Sequence, residues 1–256
     1  SDLEDKVVAS PGVLYSSKRS DPFKVKTYIE KSGGGEWKAV KKKKSECSEV
    51  GKIKLIESDS KWMEGVSLET EVYLAFHKNE KLSQVLFSVN QWLKYLKMSM
   101  VVKDGKGYIG GDHLDCLWSN FYCQDQGVFI DQEWIWRDKI SINVIVIRAI
   151  YVFLFRMDGR IPRRLLYPNI KKCIGEMAHA LDVELNDGDF EEFFELESTF
   201  QSLVYSLDKR RVKFNLKWFM HHRTTYLAVR NIPKRYQRLK LFARSIGTKV
   251  INKLLF

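Results

Sequence analysis

The sequence predicts an α+β fold in which a small unit of antiparallel strands precedes a larger, mainly helical unit and a basic terminal helix. Strand-like segments separated by turn residues fill 12–44, whereas helical spacing of apolar residues dominates from Ser67 onward. These patterns place the three units at 1–61, 62–231 and 232–256.

Charge is distributed unevenly along the chain. The 256 residues carry a net charge of +11, and 45% of them are hydrophobic, which is enough for a packed core. Residues 209–256 contain 14 Lys and Arg and no Asp or Glu, whereas 1–208 contain 29 basic and 32 acidic residues. This asymmetry predicts contact with one polyanionic surface, of lipid or nucleic acid, rather than a uniformly basic nucleic-acid binder.

The cysteines favour a reducing compartment. They form no C-x-x-C pair, so the sequence predicts free thiols in the cytoplasm and no zinc site. The N-terminal "SDLEDKVVAS" has no apolar core of signal-peptide length and gives no sign of export. The cysteines are Cys47, Cys116, Cys123 and Cys173.

Three segments predict the strands of the first unit. "VLYSSKR", "FKVKTYIE" and "EWKAVKKK" are rich in β-branched and aromatic residues, and "RSDP" and "KSGGGE" supply turns between them, so we expect an antiparallel meander. After the meander, Ser45 could cap a helix in "SECSEVGKIKLIES", although Gly51 disfavours it.

Helices are predicted through most of the second unit. Ser67 is a candidate N-cap, and 142–155 is an apolar run interrupted by Arg148, too short for the ~20 residues of a spanning helix and typical of a buried core element. Further helices are expected near 170–182 and 188–207. The clearest amphipathic helix, 80–98, has the apolar series Leu82, Val85, Leu86, Val89, Trp92, Leu93 and Leu96.

Acidic and amide residues interrupt strand-like sequence in "GGDHLDCLWSNFYCQDQGVFIDQEW", residues 110–134. Asp115 and Asn120 lie on a loop after a glycine pair, and Asp131 ends an apolar run, where a carboxylate is costly unless it meets a cation. Three oxygen-bearing side chains around one gap could hold Mg²⁺, which prefers hard oxygen ligands.

These residues resemble the catalytic motifs of the protein-kinase-like superfamily. "HLDCLWSN" matches H-R-D-L-x-x-x-N at His113, Asp115 and Asn120, and Asp131 falls where the Asp of D-F-G stands. Upstream, "KAVK" is similar to V-A-I-K and places Lys41 as the phosphate-pairing lysine.

Two further features extend the resemblance, which covers roughly 12–156. Glu46 or Glu49, on the helix expected after the third strand, corresponds to the ion-pair partner of the lysine. "WMEGVSL", which contains Glu64, looks like the nucleotide-binding hinge of small-molecule kinases. The pattern is closest to atypical bacterial small-molecule, sugar or lipopolysaccharide kinases.

The resemblance implies a two-lobed kinase-like fold, with a small antiparallel β N-lobe and a mainly helical C-lobe, that binds ATP and Mg²⁺. Asp115 would accept the proton of an acceptor hydroxyl, and Asn120 and Asp131 would hold the metal. The expected acceptor is a sugar or lipid-linked glycan of bacterial surface polysaccharide biosynthesis. A companion methyltransferase or glycosyltransferase is then a possible partner.

The sequence departs from the kinase pattern at three places. "SSKRSDP" stands where G-x-G-x-x-G is expected, Leu114 replaces the usual Arg, and "DQEW" replaces D-F-G. Glu133 is then either a further metal ligand or a solvated or ion-paired carboxylate. The missing glycine-rich loop favours an alternative function, a non-catalytic, pseudokinase-like scaffold at a membrane.

A purely structural interpretation of the same residues also stays open. In that interpretation Asp115 caps a turn, Asn120 satisfies backbone groups, and Asp131 pairs with Arg137 or a nearby lysine.

The segment 232–256 has the pattern of a basic amphipathic helix. It would lie in an anionic membrane interface or pack on its own domain, and nucleic-acid binding is a weaker third interpretation because no motif accompanies the charge. We expect a cytoplasmic protein peripheral to the inner membrane. The apolar stripe of this helix is Leu239, Phe242, Ile246, Val250 and Leu254.

Overall fold

The computed structural model describes most of the chain before residue 223. The hinge-like Glu64 and the predicted helix 232–256 lie outside the described residues. The described ranges are 13–16, 18–31, 37–46, 48–57, 59–61, 65–78, 82–123, 127–157 and 167–222.

The first strands form a four-stranded antiparallel sheet in the order β1-β2-β3-β6. The predicted meander is therefore confirmed in β1 to β3. Val40 is buried, and the neighbouring Lys41 lies on the opposite face of β3, as the alternation of a strand requires. The strands are β1 (Val13–Tyr15), β2 (Val25–Lys31), β3 (Trp37–Lys43) and β6 (Asp59–Lys61).

The helix expected after Ser45 is wrong, because this segment forms a hairpin of β4 (Glu49–Val50) and β5 (Ile53–Leu55). Gly51 has φ of 62° at the turn, a conformation that glycine adopts at little cost. Ile53 and Leu55 are buried and the residue between them is exposed, which is strand periodicity. Strand β11 (Trp134–Trp136) pairs with β5. This sheet therefore combines strands from both sides of residue 61, where the sequence places the end of the first unit.

The helices predicted after Ser67 are confirmed as α1 (Leu68–His77) and α2 (Leu82–Met98). The Ser67 hydroxyl accepts a hydrogen bond from the backbone N–H of Thr70 at 3.4 Å, which caps α1. In α2 the part of the apolar stripe from Val89 to Leu96 faces the core, since Trp92 and Leu96 are fully buried.

Short strands connect α2 to the loops that carry the candidate site. The turn between β7 and β8 has positive φ at Asp104 and Gly105, and an Asp-Gly pair is typical of such tight hairpin turns. Strand β12 pairs with β8, and β9 pairs with β10. The bounds are β7 (Val101–Lys103), β8 (Lys106–Ile109), β9 (Phe121–Tyr122), β10 (Val128–Phe129) and β12 (Ile140–Ser141).

The remaining helices are α3 (Ile142–Arg156), α4 (Ile170–His179), α5 (Asp187–Tyr205) and α6 (Lys209–His221). The first three lie close to the predicted positions, whereas α6 was not predicted from the sequence. The apolar run 142–155 is a buried core helix, and most residues of α3 are inaccessible to solvent. Within the described ranges, no helix combines the length and apolar character needed to cross a bilayer.

The architecture is therefore a mixture of helices and small antiparallel sheets, which confirms the predicted α+β class at that level. One continuous hydrophobic core links the strands near the N-terminus to the helices, from Phe23 and Ile53 to Phe193 and Met220.

Candidate functional site

Two short 3-10 turns carry Asp115 and Asn120. They span Gly111–Asp115 and Trp118–Asn120, and the side-chain amide of Asn120 donates to the backbone carbonyl of Asp115 at 3.1 Å. A Cβ on Gly111 would lie 1.7 Å from the carbonyl oxygen of Trp136, so only glycine permits this approach of the loop to β11. The loop is thereby fixed against the strand that follows Asp131.

Asp131 adopts a left-handed backbone conformation, with φ of 61°. Such a conformation is uncommon for residues other than glycine and costs roughly 1 kcal/mol or more. The backbone N–H of the preceding Ile130 donates to the carbonyl of Asn120 at 2.8 Å, which ties the two candidate metal ligands together. The Asp131 carboxylate is 43% exposed and turns toward a cleft.

Lys41 reaches the same place from β3, 90 residues earlier in the chain. Its ammonium group pairs with the carboxylate of Asp131 and lies 3.2 Å from Oε2 of Glu133. The lysine side chain is 11% exposed, so its ammonium group is largely shielded from water although Asp131 is more open. Three predicted site residues, Lys41, Asn120 and Asp131, are thus brought together.

Glu133 is a buried, ion-paired carboxylate, which agrees with the expectation of an ion pair and not with that of a solvated side chain. Arg19 holds it with both terminal nitrogens, Nη1 at 3.1 Å from Oε2 and Nη2 close to Oε1. Burial alone would raise the pKa of Glu133, but Arg19 and Lys41 together hold it below its usual value. Glu133 therefore carries a negative charge between two cations.

Arg148 supplies a cation that sequence reasoning missed. It lies in α3, fully buried, and its Nη1 donates to the carbonyl of Leu114 at 2.5 Å and lies 3.9 Å from Oδ1 of Asp115. Its Nε donates to Glu197 at 2.8 Å. The signal was a single arginine within an apolar run, because a buried guanidinium needs carboxylate and carbonyl partners.

The environment of Asp115 shifts its acid–base equilibrium toward neutrality. Burial raises the pKa of Asp115 to about 7, the charge of Glu133 adds to the increase, and the nearby Arg148 opposes it. Oδ2 of Asp115 also accepts a long hydrogen bond, 3.4 Å, from the backbone N–H of Glu133. A carboxylate with this pKa can both take up and release a proton near pH 7.

The side chains of Asp115, Asn120, Asp131, Glu133 and Arg148 line a cleft of about 280 Å³, and Lys41 contacts two of its carboxylates. The far wall is built by α3 and by the last turns of α5. A larger groove of about 510 Å³ lies elsewhere, between β12 and α5, and contains none of the predicted site residues. The cleft is lined by Arg19, Asp115, Leu117, Asn120, Asp131, Glu133, Trp134, Arg148, Val152, Arg156, Glu197, Phe200, Gln201 and Tyr205.

The structure does not place Glu49 beside Lys41, so the predicted ion pair is wrong. Glu49 lies in β4 rather than on a helix, and its carboxylate accepts a hydrogen bond from Arg137 at 2.6 Å. Asp131 and Glu133 take the position beside the lysine.

The residues present fit a magnesium ion in part. Within the described ranges, no three His, Cys, Asp or Glu side chains cluster as metal ligands. Asn120 keeps Oδ1 as an acceptor because its Nδ2 bonds to Asp115, and among the described residues Oδ1 receives only the Ser119 hydroxyl, at 3.1 Å. Asn120 and Asp131 thus offer two oxygen ligands, which is adequate for an ion that normally keeps water and phosphate ligands.

Several contacts also agree with the purely structural interpretation of these residues. Asn120 satisfies a backbone carbonyl, and Asp131 pairs with a lysine, although the lysine is Lys41 and Arg137 binds elsewhere. No family model, curated protein or solved structure matches the chain. Comparison with known proteins therefore supports neither the metal-binding nor the purely structural interpretation.

Proposed function

We propose that the protein is an ATP- and Mg²⁺-dependent phosphotransferase of atypical, two-lobed kinase-like fold. The observation that carries this proposal is the convergence of Asp115, Asn120 and Asp131 on one cleft, where Lys41, 90 residues before Asp131, pairs with the Asp131 carboxylate. The pKa of about 7 for Asp115 adds independent support, because shifted carboxyl groups in clefts are typical of acid–base sites.

The reaction assigns a separate task to each residue. The acceptor hydroxyl oxygen attacks the terminal phosphorus, the bond from that phosphorus to the ADP oxygen breaks, and Asp115 takes the hydroxyl proton. Lys41 neutralises charge on the nucleotide phosphates. Asn120 and Asp131 would hold Mg²⁺, which screens the phosphate charges.

The acceptor we propose is a hydroxyl of a sugar or lipid-linked glycan in bacterial surface polysaccharide biosynthesis. Polar groups suited to such a ligand line the far wall of the cleft, namely Gln201, Tyr205 and Arg156. Phosphate transfer assayed against a panel of sugars and glycolipids identifies the acceptor. A methyltransferase or glycosyltransferase acting on the same glycan would be the companion enzyme.

A binding test separates this proposal from the alternative, a non-catalytic scaffold. Two observations favour the alternative: the glycine-rich loop is absent, and the ammonium group of Lys41 already pairs with the carboxylates of Asp131 and Glu133. We expect Mg·ATP to raise the melting temperature of the wild-type protein and to leave that of Asp131→Asn unchanged. Asparagine tolerates positive φ, so this variant keeps the backbone conformation.

Two further variants complete the test. Asp115→Asn should keep nucleotide binding and lose transfer by roughly 10²–10⁴-fold, the usual contribution of a general base. Asp138→Asn changes an exposed aspartate paired with Lys52 and should behave as wild type. No thermal shift in the wild-type protein contradicts the enzyme, and a shift that survives Asp131→Asn contradicts the metal role.

We also propose that the protein associates peripherally with the inner membrane. The segment 232–256 lies outside the described residues, but the preceding helix α6 carries related features. On its solvent face the side chains of Phe214 and Trp218 are 67% and 45% exposed. Arg210 and Arg211, also exposed, belong to the same face. Aromatic and basic side chains on one helix face suit an anionic lipid interface.

A further inference from the structure

The turn between β1 and β2 places an arginine in the cleft. Arg19 occupies the part of the chain where a kinase-like sequence has its glycine-rich loop, and its side chain is 18% exposed. Both Nη groups bind the carboxylate of Glu133. The guanidinium carbon also lies 4.9 Å from the ring centre of Trp134, within the range of a cation–π contact.

The turn is anchored on the opposite side of the cleft. The backbone N–H of Ser20 donates to the carbonyl of Val204 at 2.7 Å, and its hydroxyl donates to the carbonyl of Leu203 at 2.9 Å, both in the last turn of α5. Phe23 is fully buried and packs edge-on against Trp134 at 5.3 Å. Arg19 is therefore held from both sides, unlike a residue on a flexible glycine loop.

The hydrogen-bonding capacity of Arg19 is only partly used. A guanidinium has five N–H donors, and Glu133 takes two of them. Its side chain makes no other hydrogen bond within the described part of the chain, and it lines the same cleft as Asp115 and Asp131. The remaining donors are available to a ligand in the cleft.

We propose that Arg19 contacts the terminal phosphates of the bound nucleotide and replaces the missing glycine-rich loop as the phosphate cover. This inference rests on the proposed kinase activity. A planar guanidinium fixed by a carboxylate on one edge presents its other donors in the geometry that matches phosphate oxygens. Lys41, which shares Glu133 with Arg19, would bind the phosphates from the β3 side.

The test measures dissociation constants for ATP, ADP and AMP in the presence of Mg²⁺, for wild type and Arg19→Gln. We expect the variant to bind ATP about 10–100-fold more weakly, ADP with a smaller loss, and AMP almost unchanged, because charged hydrogen bonds to the outer phosphates are lost. A purely structural arginine would not produce a loss that grows with the number of phosphates.

Two more variants keep the outcome decisive. Arg19→Lys preserves the charge without the planar donors, so it should show the same order of losses even if Arg19→Gln does not fold. Arg137→Gln removes an exposed arginine bound to Glu49 outside the cleft and should bind all three nucleotides as wild type does.

The possible failures are distinguishable. Equal losses for ATP and AMP, or no loss, would overturn the role of Arg19 and leave the proposed kinase activity intact. A folded wild-type protein that binds none of the three nucleotides would overturn both.

Discussion

Asp115 draws its chemical character from residues distant in sequence. The carboxyl is buried, its charge is opposed by Glu133, and Arg148 in α3 provides the partial compensation. If a nearby cation fully offset the effect of burial, the carboxylate would keep an ordinary pKa and would rarely take up a proton near pH 7. The long distance to Arg148, 3.9 Å, leaves the carboxyl sensitive to pH.

This shift predicts a specific pH dependence of stability. The pKa of Asp115 is about 7 in the folded protein, against 3.8 for an ordinary aspartate. Because the folded value is the higher one, the stabilising contribution is greatest at low pH and is lost as the pH rises to about 7. We expect urea denaturation to give a free energy of unfolding lower by about 3 kcal/mol at pH 8 than at pH 5 from this group.

Asp115→Asn cannot titrate, so that part of the pH dependence should disappear in the variant. Asp138→Asn, with an exposed carboxylate, should keep the wild-type dependence on pH. Identical pH slopes for wild type and Asp115→Asn would contradict the assigned pKa.

Helix α3 connects the loop that carries Asp115 to the rest of the helical unit. Arg148 bridges the carbonyl of Leu114 and the carboxylate of Glu197 in α5. Burial alone would lower the pKa of Arg148, but the charges of Glu197 and Asp115 raise it above its usual value, so the arginine stays charged. The loop thus depends on a cation that belongs to a neighbouring helix.

Removing that cation should be costly. Arg148→Met leaves the carboxylates of Asp115 and Glu197 buried without their cation, and we expect the free energy of unfolding to fall by about 3–5 kcal/mol in urea denaturation. Arg156→Met, on the same helix, breaks a half-exposed pair with Glu69 and should cost less than about 1 kcal/mol. Similar losses for the two variants would contradict the supporting role of Arg148.

Elements with a strong local signal were predictable from sequence. The stripe of α2 and the apolar run of α3 appear as helices because their spacing and length leave few alternatives. The segment after Ser45 was mispredicted because Gly51 permits a tight hairpin, and because the pairing of β5 with β11 depends on a strand 79 residues away. Local sequence does not contain that information.

At the scale of the whole molecule, the cleft is lined by five separate parts of the chain: the turn after β1, the 3-10 turns, the residues from Asp131 to Trp134, α3 and α5. Motif spacing predicts Lys41, Asp115, Asn120 and Asp131, since each belongs to a recognisable local pattern. The partners that set their charge, Arg19, Glu133 and Arg148, follow no spacing rule and become visible only when β3, the loops and α3 are packed together.

The distribution of charge over the whole molecule carries the last prediction, on membrane association. Glutamates of α5 partly neutralise the charge of three lysines of α6 within the fold. The pairs are Lys209 and Lys213 with Glu195, and Lys217 with Glu191. The outward face retains Arg210 and Arg211 beside Phe214, and the acid-free segment continues to residue 256. We therefore expect this face of α6 and the segment 232–256 to bind the same anionic membrane surface.

We expect the protein to float with vesicles that contain phosphatidylglycerol, and not with vesicles of phosphatidylcholine alone. Binding should weaken as salt rises, because each basic residue near an anionic surface contributes only about 1 kcal/mol and is screened. Deleting 232–256 should abolish most binding, and Phe214→Ser should reduce it. Phe87→Ser, an equally exposed phenylalanine on α2, is the matched control and should bind as wild type. Unchanged flotation after the deletion excludes 232–256 as the anchor, and equal effects of the two serine variants exclude the α6 face.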